Sequence, residues 1–170
     1  MVRFQKGQIW SMDLISASVL LIFIILLIML AWNTLIIRWN IANEYRQMNS
    51  VALIASEVLL SGPGNPPSWE VFSGLNESNL KSMGIVYGRN VLNPQKLGKL
   101  ISLNNTTYDF FKQRLGAGKY DFGMNITDMN RNTSSYLFGK FPAQLNVSVI
   151  LERMAVLNQT PVIVRFVVWR

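Results

Sequence analysis

Hydrophobic and polar positions follow three successive patterns along this chain. From Leu14 to Ile37 there is no charged residue, and Asn33 and Thr34 are the only markedly polar members after Ser18. As a helix rising about 1.5 Å per residue, that run is about 36 Å long, enough to cross a bilayer with some tilt. The pattern then turns amphipathic. Ile41, Tyr45, Met48, Ala52, Ala55 and Leu59 recur at steps of three or four, while Asn40, Asn43, Glu44, Gln47, Asn49 and Ser56 fill much of the other side. One helix is therefore predicted from about Met12 to Ser61, roughly 70 Å in length. Gly62-Pro63-Gly64-Asn65-Pro66-Pro67 ends it, because glycines and prolines packed this closely cannot continue a helix.

The third pattern belongs to a head that starts at this break. Ser68 to Gly88 reads as mostly loop with short helical turns, since Gly74, Gly84 and Gly88 interrupt the apolar residues. Asn93 to Leu103 reads as a helix with Pro94 in its first turn and Leu97, Leu100, Ile101 and Leu103 on one face. Thr106 to Leu115 reads as a second, with Tyr108, Phe111 and Leu115 on one side and Gly116 as its stop. The period then becomes two. Tyr120, Phe122, Met124 and Ile126 alternate with polar residues, Tyr136 to Phe141 suggests another strand, Leu145 to Leu151 alternates again, and Val162 to Trp169 is a β-branched run. Asn158 to Pro161 forms a turn between the last two. Consecutive strands on short links predict an antiparallel sheet. Its apolar face needs a cover, and the stripe on the long helix supplies one. The expected class is α+β: a long N-terminal hydrophobic helix packed on a C-terminal antiparallel β-sheet head, with strands mainly in residues 119–169.

Composition narrows the chemistry. The 170 residues hold no cysteine and no histidine, which removes disulfides, thiolate nucleophiles, the usual zinc sites and histidine acid–base catalysis. The net charge of +7 comes from sixteen scattered Lys and Arg, a solvated basic surface rather than a nucleic-acid patch, so no nucleic acid is expected as a partner. Asp109, Asp121 and Asp128 are the nearest thing to an acidic cluster, but they lack the spacing of a calcium loop. Gly116, Gly118 and Gly123 open no helix and so make no nucleotide fingerprint. The expectation is a protein that is not an enzyme, without cofactor, metal or catalytic residues.

Beyond the helix break the Asn-X-Ser/Thr acceptor pattern occurs seven times, at Asn76, Asn104, Asn105, Asn125, Asn132, Asn146 and Asn158, where the Asn and Ser/Thr content predicts about two by chance. The excess argues for a head on the outside of the cell, where N-glycosylation takes place. An Asn/Thr-rich polar surface generating sequons incidentally is the competing explanation. Asn76, Asn104, Asn105, Asn132 and Asn158 are the candidate acceptors, because Asn125 and Asn146 fall within predicted strands.

The N-terminus carries Arg3 and Lys6 without an acid, then Gly7, a short polar segment and Asp13 ahead of the apolar run. That run is longer than the core of an ordinary secretory signal and has no small-residue cleavage site after it, so the helix is expected to stay in the mature protein. Arg3 and Lys6 on one side face Arg38 and Arg46 on the other, leaving orientation open on charge alone, while Trp10, Trp32 and Trp39 fit aromatic anchoring at two interfaces. Asp13 at the start of an apolar helix either meets the N-terminal amine of a neighbouring subunit or sits among headgroups, complementing the positive end of its own helix.

Lys6-Gly7-Gln8, followed by the short polar stretch and the long apolar helix, resembles the class III signal peptide of archaeal type IV pilins and archaellins. The resemblance implies a leader of residues 1–7, recognised at Lys6 and Gly7 by a prepilin-type peptidase on the cytoplasmic side, with Gln8 as the new N-terminus. It implies a long helix over 8–61, transmembrane at 14–37 and amphipathic at 38–61, and an extracytoplasmic head over 62–170. It also implies a structural subunit, a minor pilin or pseudopilin among the options, stacked with other pilin-like subunits and assembly machinery into a surface filament or secretion apparatus. It implies, too, an N-terminus inside the cell and a head outside. The late Trp169 and the helix–break–β order are similar to pilins as well. Many pilins carry an acid at the fifth mature position, which in this chain is Met12. The acid assigned to helix docking is Asp13, one residue on and turned about 100° around the helix. An uncleaved single-pass protein with an external ligand- or partner-binding head is the alternative.

Overall fold

The computed structural model describes residues 5–76, 79–129, 134–142 and 147–170, with side chains from Met12 onward except at 104–106, 134 and 135. Two compact units divide the chain, residues 1–43 and 44–170. The helix α1 (Gln5–Ser61) contributes to both. After Gly7 it contains no glycine or proline, so nothing interrupts its ladder until Gly62.

In the first unit, every side chain from Met12 to Asn43 is exposed, including Leu30 at 64% and Trp32 at 66%. A helix apolar on all sides and covered by nothing of its own chain has the length and composition to cross a membrane.

The second unit is an α+β head in which the last turns of α1 are part of the core. Met48, Ala52, Ala55, Leu59 and Leu60 are buried, following the expected stripe, whereas Ile41 and Tyr45 at its start stay exposed. Ala52 and Ala55 are fully covered, and their small side chains let the helix backbone come close to its neighbours.

After the break come β1 (Gly64–Asn65), a 3₁₀ turn (Trp69–Val71) and β2 (Ser82–Met83), which pairs antiparallel with β1. The short strands β3 (Val86–Gly88) and β4 (Val91–Leu92) follow, joined at Asn90 with φ +63°. The helix α2 (Pro94–Ser102) has Pro94 in its first turn as expected, and the Asn93 side chain caps it by accepting from the N–H groups of Gln95 and Lys96. Next is α3 (Asn104–Arg114). The strands β5 (Asp121–Asp128), β6 (Ser134–Gly139), β7 (Ser148–Leu157) and β8 (Thr160–Trp169) complete the chain.

Six strands form one sheet in the order β3-β4-β7-β8-β5-β6. The expectation of an antiparallel sheet needs correcting. The four long strands do pair antiparallel, but β4 lies parallel to β7 at Val91↔Val156, so the sheet is mixed. Short links favour antiparallel neighbours, and β4 reaches β7 from much earlier in the chain, where that rule has no force. Strands of two or three residues also carry too little alternation to be read from sequence, which is why 68–88 looked like loop. The last hairpin is tighter than expected. Asn158 and Gln159 alone form the turn, both with positive φ, a backbone whose twist matches that of paired strands. β7 consequently runs on to Leu157.

The inner face of the sheet carries Phe122, Met124, Ile126, Val164 and Phe166, and joins α1, Leu97 and Leu100 of α2, and Phe111 of α3 in one continuous apolar core. Phe138 sits edge-on to Phe111 and Phe122, with ring centroids 5.5 and 6.3 Å apart.

Candidate membrane and assembly site

Three parts of the chain bear on function: the start of α1, its exposed apolar body, and the clamp that holds its end. Lys6, Gly7 and Gln8, the residues of the expected leader junction, lie on helical backbone in the first turns of α1. Asp13 is exposed and no described residue forms an ion pair with it. Ser18 and Thr34, which would face hydrocarbon in a bilayer, turn their hydroxyls back onto the carbonyls of Leu14 and Ala31 at 2.7 and 2.8 Å. These two hydroxyls thus have partners within their own helix.

The C-terminal end of α1 is held by contacts that sequence reading did not single out. The N–H groups of Ile85 and Asn90 donate to the carbonyls of Leu59 and Leu60 at 2.9 and 3.2 Å, satisfying two of the acceptors that a helix end leaves open. Gly84 crosses directly over the break, where a Cβ would overlap the carbonyl oxygen of Gly62. Trp69, fully buried, donates its indole N–H to the Gly84 carbonyl at 2.9 Å.

Lys96 completes the clamp. Its side chain is 2% exposed, and its ammonium donates to the carbonyls of Pro63 and Pro67 with the Glu70 carboxylate 3.9 Å away. Burial pushes the Lys96 pKa below the ordinary lysine value, and the Glu70 charge offsets part of that. By spacing, Lys96 sits beside Leu97 and Leu100 on the inner side of α2. Nothing in an amphipathic pattern distinguishes such a lysine from one that reaches solvent.

The candidate glycosylation residues are spread over the head. Asn76 is exposed in the loop before β2, where its backbone N–H donates to the Asn79 side chain and its own Oδ1 accepts from the Asn79 N–H. Asn104 and Asn105 open α3. Asn158 is exposed at the first position of the β7–β8 turn, and the positive φ there accounts for an asparagine whether or not it carries a glycan. Asn132 and Asn146 lie outside the described residues. Asn125 is half-buried on β5, and its Oδ1 has no hydrogen-bond partner among the described residues.

The three aspartates do not converge. Asp121 and Asp128 open and close the same eight-residue strand, about 24 Å apart at strand rise. Among the described residues no three acidic groups are placed to share a metal ion. The hollow at the end of α1, lined by Glu57, Ser61, Arg89 and Arg153 among others, measures only about 50 Å³.

No protein-family model, no curated protein and no solved structure matches this chain.

Proposed function

We propose that this protein is a structural subunit of a type IV pilus-like surface filament or secretion apparatus, anchored and then assembled through α1. The observation that carries the reading is the exposure of every side chain from Met12 to Asn43 on a helix apolar all round, whose continuation is built into the core of a folded head. Such a helix needs hydrocarbon or other copies of itself around it. Before assembly the bilayer supplies the first, and within a filament the neighbouring helices supply the second. Ser16, Ala17, Ser18 and Ala31 are small enough to permit close helix approach.

The likeness of Lys6-Gly7-Gln8 to a prepilin-type junction supports the same reading, with cleavage after Gly7 by a membrane peptidase. The head then lies outside the cytoplasm and its loop sequons become available to glycosylation. The mechanism requires no catalysis, only burial of one apolar helix against others and packing of the heads around them.

Mass spectrometry of the protein purified from its native membrane tests this. A chain beginning at Gln8 supports the reading, and replacing Gly7 with a bulky residue is expected to leave the leader attached. An intact Met1-Val2-Arg3 start overturns it and favours a permanently anchored protein with a partner-binding head.

A further inference from the structure

The last turns of α1, together with α2 and α3, pack on the inner face of the six-stranded sheet. Alternation turns Ile150, Glu152, Met154 and Val156 of β7, with Ile163 and Arg165 of β8, to the outer face. Much of that face is apolar and uncovered. Ile150 is 53% exposed, Met154 65%, and Leu137 of β6 52%. Val91 of β4, the partner of Val156, is exposed as well. The Phe141 ring lies over Gly123, 3.0 Å from where a Cβ would stand, and is itself exposed. Apolar side chains gathered on one face in this way mark a contact surface.

One ion pair stands in the middle of it. Glu152 and Arg165 are cross-strand partners on β7 and β8, the third and fourth strands of the six. Arg165 Nε donates to Glu152 Oε1 at 2.8 Å, and Nη2 lies 2.7 Å from the same oxygen. Glu152 Oε2 and Arg165 Nη1 take no partner among the described residues, and both side chains are about half exposed. The neighbouring rows of the face, Ile150 beside Val167 and Met154 beside Ile163, carry no charge. Charges at the end of the sheet are engaged elsewhere. Glu44 contacts Arg170 and lies 3.8 Å from the Lys119 ammonium, while Asp121 lies 3.0 Å from that of Lys112 and feels the Lys140 charge too.

An acid and a base side by side, each with one group unused, make a surface complementary to itself. A two-fold axis between β7 and β8 sets Glu152 of each copy opposite Arg165 of the other. A partner of single sign satisfies one of these ions and opposes the other, whereas a second copy satisfies both. The net charge of +7 disfavours approach of two copies in general, but this part of the face is neutral. From β4 to β5 the face is four strands wide and up to eight residues long, about 19 by 26 Å. Two such faces together cover roughly 1,000 Å², the size at which specific contacts begin. We propose that two heads stack outer face to outer face, with Glu152 and Arg165 of both copies meeting at the centre and the exposed apolar side chains around them. Such a contact closes on itself, so it makes a pair and does not extend a filament. The inference concerns the head alone and stands whether or not the leader is removed.

The test uses the full chain, purified in detergent. The sequence has no cysteine, so Met154→Cys introduces the only thiol. A short bismaleimide, matched to the separation of stacked sheets of about 10 Å, is expected to join two copies through position 154. It is expected to leave Val71→Cys, exposed on the 3₁₀ turn, unjoined at the same concentration. Cross-linking at these positions reads the head, whatever contacts α1 makes. In the Met154→Cys background, Glu152→Arg or Arg165→Glu alone is expected to cut the joined fraction at least about tenfold, because like charges then meet at the centre. Mixing the two single variants, or placing both changes in one chain, is expected to restore it, which also shows that neither change unfolds the head. Equal joining at positions 71 and 154 overturns the stacked faces. Joining at 154 that ignores the charge changes overturns the pairing of Glu152 with Arg165, as does a loss that neither the mixture nor the double change restores. In the native membrane, a product linking position 154 to a different protein and not to a second copy overturns the pair as well. The N-terminal residue is read separately, so failure of this contact and failure of the pilus reading remain distinct results.

Discussion

Residues 12–43 and 44–61 share one helical backbone and differ in what their side chains meet. In the first stretch Leu30 and Trp32 are about two-thirds exposed, and in the second Met48, Ala52 and Ala55 are completely covered. The backbone ladder is self-sufficient in both, because an α-helix satisfies its own N–H and C=O groups and so tolerates hydrocarbon. A sheet does not, and the head must build a core and hold its strands in register. Stability of the head is thus a property of the second stretch, while the first leaves its apolar side chains uncovered. Side-chain changes in the two stretches should separate accordingly.

The largest effect is expected at the clamp where α1 ends. Lys96→Ala removes the donor to the Pro63 and Pro67 carbonyls and leaves the largely covered Glu70 without its cation, and the stem's packing is lost as well. Stranding buried acceptors and a carboxylate costs about 4 kcal/mol. In thermal unfolding of the full chain in detergent, followed by near-ultraviolet circular dichroism, the head should melt far below the wild type while residues 12–43 stay helical. The wild type should also show the sign of the lysine's titration. Its folded pKa is depressed, so the unfolded state binds the proton more readily. The depressed pKa therefore subtracts from what Lys96 contributes at neutral pH, and stability rises as pH climbs through the folded value towards about 10.5. A flat profile for the wild type relative to Lys96→Met would count against burial as the cause.

The same truncation placed in each stretch gives the direct contrast. Leu59→Ala opens a cavity at a position that is 1% exposed and should cost about 3 kcal/mol of head stability. Leu30→Ala, at 64% exposure, should leave the head's unfolding midpoint unchanged and weaken retention in the bilayer only slightly. Equal destabilisation by the two would break the link between a side chain's exposure and its effect on the head.

The long elements were legible because their periods are long. Twenty-four uncharged residues and a three-four stripe ending in Gly62-Pro63 place the end of α1 at Ser61, although the helix starts at Gln5 and not at the expected Met12, and alternation at Tyr120–Thr127 and Val162–Trp169 locates β5 and β8. The two-residue strands escaped because two residues have no period, and the parallel pairing of β4 with β7 is long-range information that no local window holds. Of the three parts at the candidate site, the apolar run was legible from its lack of charge, while Lys6–Gln8 rests on a resemblance alone. Lys96 and the paired cations on Glu44 and Asp121 were not legible, since a basic residue's partner is set by tertiary position.

The smallest effect concerns Gly98, a glycine in the middle of α2. Gly98 is exposed, has none of the positive φ seen at Gly64 or Gly116, and an added Cβ would meet nothing within 4 Å. The glycine is therefore needed neither for a left-handed backbone nor for a close approach. Its cost is the extra freedom that the unfolded chain gains, which alanine removes without strain. Gly98→Ala should raise head stability by about 0.5 to 1 kcal/mol, measured in the same detergent melts. Because α2 carries Lys96, a stiffer helix should also hold the clamp on Pro63 and Pro67 more firmly, so slower hydrogen exchange is expected at the Ile85 amide that caps Leu59. A gain in midpoint without added protection at Ile85 would locate the effect within α2 alone and separate helix propensity from the closure of α1.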